Sequence, residues 1–322
     1  MKLLYTLILT CFLASSAQAI QLPGLDDFVE EMVARHHFDR EELKQAFGQA
    51  QYRHAVINAI STPATRKPWP EYRAAFVNAK RIRHGLTFWQ THEATLARAS
   101  QQYGVPAEII VALIGVETVY GRQTGKFPTL DALTTLAFDF PRRTDFFRGE
   151  LEQYLLLARE QRFELSGVRG SYAGALGIPQ FMPGSYRRYA VDFNGDGRTD
   201  LLHDPEDAIG SVAHYLQQYG WQPQQPVAVR ATLGEDGDAQ PGARRALSDW
   251  QAHRVTPTGD TPADPQLAAQ LLDFTVPDGK EYWLGFRNFE VITQYNNSTY
   301  YAMTVHQLAS ALRAAYTEGE KP

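Results

Sequence analysis

Hydrophobic positions along the chain change rhythm several times, and each change marks an element. Leu3 to Ala14 is a continuous apolar run, too short to span a bilayer as a helix. Leu25, Phe28, Val29 and Met32 then recur at helical spacing, and Phe76, Val77 and Ile82 do so less cleanly. Residues 25 to 100 therefore read as helical, broken at Pro68 to Pro70. Asp39 before Glu41 and Glu42 starts one of these helices with negative charge in its first turn. From Ile109 to Val116 apolar residues occupy every face, as in a helix buried on all sides. Pro106 opens that helix and Gly121 is placed to close it. Phe146 to Arg159 is another helix. So is the segment from Asp204-Pro205 to Gly220, with Ala208, Ile209, Val212, Tyr215, Leu216 and Tyr219 on one face.

After Trp221 the period shortens. Val227 to Thr232 alternates, and Leu271 to Val276 and Glu281 to Phe286 read as strands joined by a turn at Pro277-Asp278-Gly279. Val305 to Ala315 is a final amphipathic helix. The fold class is mainly α with a small β-containing lobe. The expected division is 1–19 leader, 20–95 helical domain, 96–220 core, 221–285 β-containing domain and 286–322 a returning C-terminal segment.

The first residues have the layout of a signal peptide: Lys2, the apolar run, then Ala17-Gln18-Ala19 as a cleavage site. Cleavage after Ala19 would start the mature chain at Ile20 and move the formal charge from −5 to −6. Cys11 is the only cysteine. Thr10 before it suits lipid attachment poorly, so the expected product is soluble and exported rather than a lipoprotein at Cys11. A mature chain without cysteine excludes disulfides, thiolate zinc sites and thiol nucleophiles. Mild acidity without a basic stripe argues against nucleic acid as a partner.

Candidate chemistry lies in four places. Glu117 ends the all-apolar helix and is followed by Tyr120, Gly121 and Arg122. Apolar surroundings disfavour a carboxylate and push its pKa toward neutrality, which suits a general acid. Read locally, a helix-end glutamate reaching solvent or paired with Arg122 is the more common case, since structural ion pairs also shift pKa values. Asp192, Asn194 and Asp196 alternate with Gly197 at the sixth position, and Arg198 would offer its backbone carbonyl: the rhythm of an EF-hand-like calcium loop. His203 stands where the twelfth-position Glu belongs, leaving Asp204, Glu206 or Asp207 to close a longer loop, or the segment is an Asx-rich turn. Gly170 to Pro183 is rich in small residues and offers Ser171 and Gln180 to a ligand; tight loop packing explains it as well. Tyr295 to Tyr301 supplies aromatic faces and amides of the kind that bind sugars, or is an ordinary β-to-helix connection.

Taken together, GVETVYGR around Glu117, PRRTDFFRGEL, GSYAGALGIPQFMPGSYRRYAVDFNGDGRTDLLHDPEDAIGSVAHYL and FRNFEVITQYNNSTYYAM resemble the membrane-bound lytic murein transglycosylase B family, in order from about Trp69 to the C-terminal helix. The resemblance implies a lysozyme-like helical core with an added helical domain. It implies cleavage of the MurNAc–GlcNAc β-1,4 bond of peptidoglycan in the periplasm, leaving 1,6-anhydroMurNAc ends. Glu117 would be the single catalytic acid/base. Tyr72, Ser171, Gln180, Tyr215, Tyr295, Asn296 and Tyr301 would line the glycan groove. Asp192, Asn194, Asp196, the Arg198 carbonyl and Asp207 would hold structural Ca2+, with no organic cofactor. The loop from Asp192 to Asp207 is one residue longer than the family's form, which leaves the last ligand open. Glycan strands would be the partner, with other cell-wall enzymes as further candidates. Two rival readings remain: a hydrolytic muramidase, which needs a second carboxylate to activate water, and a non-catalytic calcium-stabilised wall-binding protein.

Overall fold

The computed structural model describes residues 22–62, 67–235, 237 and 240–319. The leader, Cys11 and the cut after Ala19 lie outside the described residues. The chain enters through helices α1 (Leu25–His36), α2 (Arg40–Gln49), α3 (His54–Ile60), α4 (Trp69–Phe76), α5 (Ala79–Thr91) and α6 (Glu93–Tyr103). The Asp39 carboxylate accepts the Glu42 amide at 2.8 Å and caps α2. Pro70 does not break the chain; it sits in the first turn of α4, where a missing N–H costs nothing. Asn78 caps α5 by accepting the Arg81 amide, and this explains the uneven stripe around Phe76 and Ile82: two helices meet there.

Helix α7 (Ala107–Thr118) is the axis of the main core. Every residue from Ile109 to Val116 is buried, and each large apolar side chain so placed contributes roughly 1.5–3 kcal/mol. Helices α5, α6 and α11 (Pro205–Gln218), the last capped by Asp204, pack against α7, while α8 (Thr129–Asp139) and α10 (Pro183–Tyr189) pack on α9 (Thr144–Gln161). Strand β1 (Phe127–Pro128) pairs with β2 (Arg169–Gly170) and holds the following loop to the core.

The sheet region comprises β3 (Ala228–Leu233), β4 (Arg244–Ala246), α12 (Leu247–Ala252), β5 (Val255–Thr258), β6 (Ala268–Val276) and β7 (Gly279–Gly285). The antiparallel order is β4-β6-β7-β3-β5. Both faces of β6 are covered, which is why Leu271 and Leu272 are adjacent and both apolar. Leu271 joins Trp250, Val229 and Leu284 in a small core of its own. Leu272 and Phe274 face the helical body, where Phe274 meets Trp69 at 4.6 Å between rings. The Trp69 indole donates to Glu281 at 2.7 Å and fixes the docking.

The chain then returns through α13 (Arg287–Tyr295) and α14 (Thr299–Gly319), the latter packed along α7. Two expectations need correction here. The Tyr295–Tyr301 segment joins two helices, not a strand to a helix, and the last helix begins at Thr299 rather than Val305. Aromatic and polar residues face the site in that first turn, so the apolar stripe becomes clear only further along.

Candidate active site

Glu117 is the penultimate residue of α7. The helix stops at Thr118, not at Gly121, because Val119, Tyr120 and Gly121 are all left-handed (φ 52°, 62° and 77°). A β-branched residue in that region is uncommon and costly. Two contacts compensate. The Thr118 hydroxyl donates to the Ile178 carbonyl at 2.7 Å and accepts the Gly121 amide at 2.9 Å. The Tyr120 ring fills a slot between α5 and α7 that exists only because Gly85 and Gly115 lack side chains; a Cβ on either would stand 2.4 or 2.6 Å from the Tyr120 hydroxyl. Arg81 donates to the Gly115 carbonyl, placing positive charge at the helix's negative end. The sequence reading missed these residues. The two glycines inside helical stretches were the available signal.

The carboxyl itself is set among aromatics. Glu117 keeps some accessible surface, but burial dominates its acidity and pushes the pKa up from 4.5 to about 7. The Tyr301 hydroxyl donates to Glu117 Oε1 at 2.5 Å and pulls the other way. Burial, then the Glu117 charge, holds Tyr301 and Tyr295 well above the usual tyrosine range. The same causes raise Tyr72 to about 12. Tyr295 stacks on Tyr301, 6.4 Å between rings at 14°, and its hydroxyl donates to the Pro179 carbonyl. Tyr72, Tyr295 and Tyr301, far apart in sequence, thus converge on one carboxyl.

The other expected groove residues have different surroundings. Ser171 Oγ accepts the amides of Ala173 and Ala175, at 3.2 and 3.0 Å, and shapes its own loop. Gln180 is left-handed (φ 53°) and its amide donates to the carbonyls of Thr124 and Gly177. Gly177 is indispensable there, since a Cβ would stand 2.1 Å from the Leu201 carbonyl oxygen. Tyr215 is buried beneath Tyr295, 4.9 Å between rings, with its hydroxyl on the Gln294 carbonyl. Asn296 is exposed and lines an open cleft of about 800 Å³ with Tyr72, Tyr172 and Tyr300. Glu117 does not line that cleft; Tyr72 and the Tyr295–Tyr301 turn link the two.

The next two acidic residues along the chain after Glu117, Asp131 and Asp139, are engaged elsewhere. Asp131 receives Arg53 Nε at 2.7 Å and the Gln51 amide, and Asp139 accepts the Tyr52 hydroxyl.

In the Asp192 loop, Asp192 accepts the amides of Gly195, Asp196 and Gly197, Asn194 accepts that of Asp196, and Asp196 accepts that of Arg198. Asp207 is only 1% exposed and takes the amides of Phe193 and Asp200, both at 2.7 Å, with Asn194 at 3.4 Å. The Asn194 amide group donates to Asp204 at 2.7 Å, so Asp204 also turns toward the loop. The loop thus supplies oxygen donors of the kind calcium takes, but its carboxylates are turned onto backbone amides, and among the described residues no three acidic or histidine side chains are grouped so as to hold a metal ion.

Residues 21–310 match the family described as "Transglycosylase SLT domain". The chain is 43% identical over 307 residues to membrane-bound lytic murein transglycosylase B of Escherichia coli (strain K12), covering 91% of this chain and 83% of that protein. It is also similar to the structure of the Escherichia coli lytic transglycosylase SLT35 in complex with calcium (TM-score 0.85, 43% identity, 92% of this chain and 94% of that one). SltB3 from Pseudomonas aeruginosa, in complex with NAG-anhNAM-pentapeptide, matches at TM-score 0.81 and 32% identity over 90% of this chain and 78% of that one.

Proposed function

Since the chain belongs to the SLT-domain family of peptidoglycan lytic transglycosylases, we propose that it cleaves the MurNAc–GlcNAc bond without water, using Glu117 as sole acid and base. The observation that carries this is the Glu117 carboxyl, held near half-protonation at neutral pH inside the tyrosine cluster. Protonated Glu117 donates to the glycosidic oxygen as the C1–O4 bond breaks. The resulting carboxylate sits beside the oxocarbenium-like centre. It then takes the proton from the sugar's own C6 hydroxyl as that oxygen bonds to C1. The acid is restored, no water is consumed, and the product carries a 1,6-anhydro end. Intramolecular attack gives the hydroxyl a high effective concentration. A second carboxylate is unnecessary, in keeping with the engagement of Asp131 and Asp139 by Arg53 and Tyr52. Tyr72, Tyr295, Tyr301 and Asn296 would face the glycan, with Ser171 and Gln180 shaping the loop beneath it and Tyr215 supporting Tyr295.

Digestion of peptidoglycan in ¹⁸O-labelled water tests the reading. Unlabelled anhydro ends are expected; labelled, reducible ends would make the enzyme a muramidase.

The Asp192 loop would hold calcium through Asp192, Asn194, Asp196 and the Arg198 carbonyl, closed by Asp207. The ion would neutralise the loop's charge and brace the start of α11. Among the described residues no helix is long and apolar enough to cross a membrane. We assign the enzyme to the periplasm as a soluble protein starting at Ile20; N-terminal sequencing of exported protein checks this, and an acylated Cys11 would overturn it.

A further inference from the structure

Thr118 follows Glu117 and is wholly buried, out of reach of the glycan. Its hydroxyl has one proton to give and two acceptors within range. These are the Ile114 carbonyl of its own helix at 3.3 Å and the Ile178 carbonyl at 2.7 Å. The shorter bond leaves the helix. Thr118 thus ties the end of α7 to the turn Gly177-Ile178-Pro179-Gln180, while accepting the Gly121 amide at 2.9 Å. That turn is anchored in its own right. The Ile178 amide donates to the Leu201 carbonyl at 2.8 Å, and left-handed Gly177 and Gln180 (φ 71° and 53°) bracket the two residues between them.

The next carbonyl in the turn, that of Pro179, accepts the Tyr295 hydroxyl. Tyr295 stacks on Tyr301, and Tyr301 donates to the Glu117 carboxyl. The contacts therefore close a ring, from Glu117 and Thr118 through Ile178 and Pro179 to Tyr295, Tyr301 and back to Glu117. Among the described residues, Tyr301 is the only hydrogen-bond donor to that carboxyl. The titratable groups that reach it are Tyr72, Tyr295 and Tyr301, and Arg81 donates to the Gly115 carbonyl two residues back. A helix leaves its last carbonyls without partners and frays there. In α7 that last turn carries the acid, and three left-handed residues follow it. Misplacing a reacting group by about 1 Å costs as much as ~10²-fold in rate.

We propose that Thr118 is a positioning residue: by binding the Ile178 carbonyl it sets the distance between the Glu117 carboxyl and the Tyr295–Tyr301 pair, a role that rests on Glu117 being the acid and base. Thr118→Val removes the hydroxyl and keeps the branched shape. It should lower kcat about ten- to hundredfold and leave KM nearly unchanged. The alkaline limb of the kcat profile should move to higher pH, because a loosened Tyr301 contact favours the charged form of Glu117 less. Thr118→Ser returns the hydroxyl and should restore both. Because Thr118 acts through Tyr301, adding Thr118→Val to Tyr301→Phe should move the limb no further.

A variant that only unfolds more easily loses activity without moving the limb. An unmoved limb in Thr118→Val, equal impairment in Thr118→Ser, or a further shift in the double variant overturns the assignment. Should Thr118→Val not fold, Tyr295→Phe cuts the same ring at the Pro179 carbonyl and keeps the stacked aromatic. Its limb should move in the same direction, and an unmoved limb again overturns the assignment. Glu117→Gln, assayed alongside, separates the two failures. Turnover retained there removes the acid–base reading and the positioning role together. An inactive Glu117→Gln with an unmoved Thr118→Val limb removes the positioning role alone.

Discussion

Glu117 and Asp207 are two deep-set carboxylates supported in opposite ways. Glu117 receives one hydrogen bond, from a tyrosine hydroxyl, and burial raises its pKa to about 7. Asp207 is also raised by burial, but the amides of Asp200, Phe193 and Asn194 pull it back. An amide can only donate, so a carboxylate ringed by amides is committed to accepting. A carboxyl facing one hydroxyl in an aromatic cluster keeps both protonation states within reach. The difference separates a group that exchanges protons from one that organises a loop.

Replacing each acid by its amide tests the contrast most severely. Glu117→Gln should reduce turnover by ~10²–10⁴-fold or more with the fold and glycan binding retained. Substantial activity in the folded variant would move the chemistry elsewhere and revive the wall-binding reading. The same substitution should also stabilise the protein at high pH. The folded-state pKa lies above the unfolded one, so this group's stability is present below pH 4.5 and is lost as pH rises through about 7. Glu117→Gln is therefore worth about 2–3 kcal/mol at pH 8 and close to nothing at pH 4.

Asp207→Asn should have the opposite sign. It sets an amide donor against backbone donors, leaving a buried N–H unsatisfied, and costs about 1–3 kcal/mol. Denaturant melts of both variants at pH 8 measure this directly. Shifts in the same direction would erase the distinction.

Calcium should raise the melting temperature, because an ion bound only to the folded state stabilises it. Asp196→Ala should abolish that increment with little effect on activity. Identical melts in chelator and in excess calcium would make the loop a turn only.

The smallest effect is expected from Tyr301→Phe. Its hydroxyl favours the charged form of Glu117, so removal should raise the pKa further. The alkaline limb of the rate profile should then move to higher pH, with turnover reduced several-fold, equivalent to about 1 kcal/mol. An unmoved limb would mean that Tyr301 merely packs.

The sequence alone revealed α7 and its terminal acid, the start of α11, the β6–β7 hairpin and the oxygen rhythm from Asp192 to Asp196, because each follows from local spacing. Proline at 70 misled in the other direction, since Pro opens a helix as readily as it interrupts one. Recognition of the groove residues came from resemblance, not from any period. Only the tertiary structure decided that Tyr72, Tyr295 and Tyr301 converge on Glu117, that Asp131 and Asp139 serve the N-terminal helices, and that Gly85 and Gly115 make room for Tyr120. A pKa near 7 depends on how much protein surrounds a carboxyl and which donor reaches it. Those quantities belong to side chains more than a hundred residues apart, brought together when α14 packs along α7.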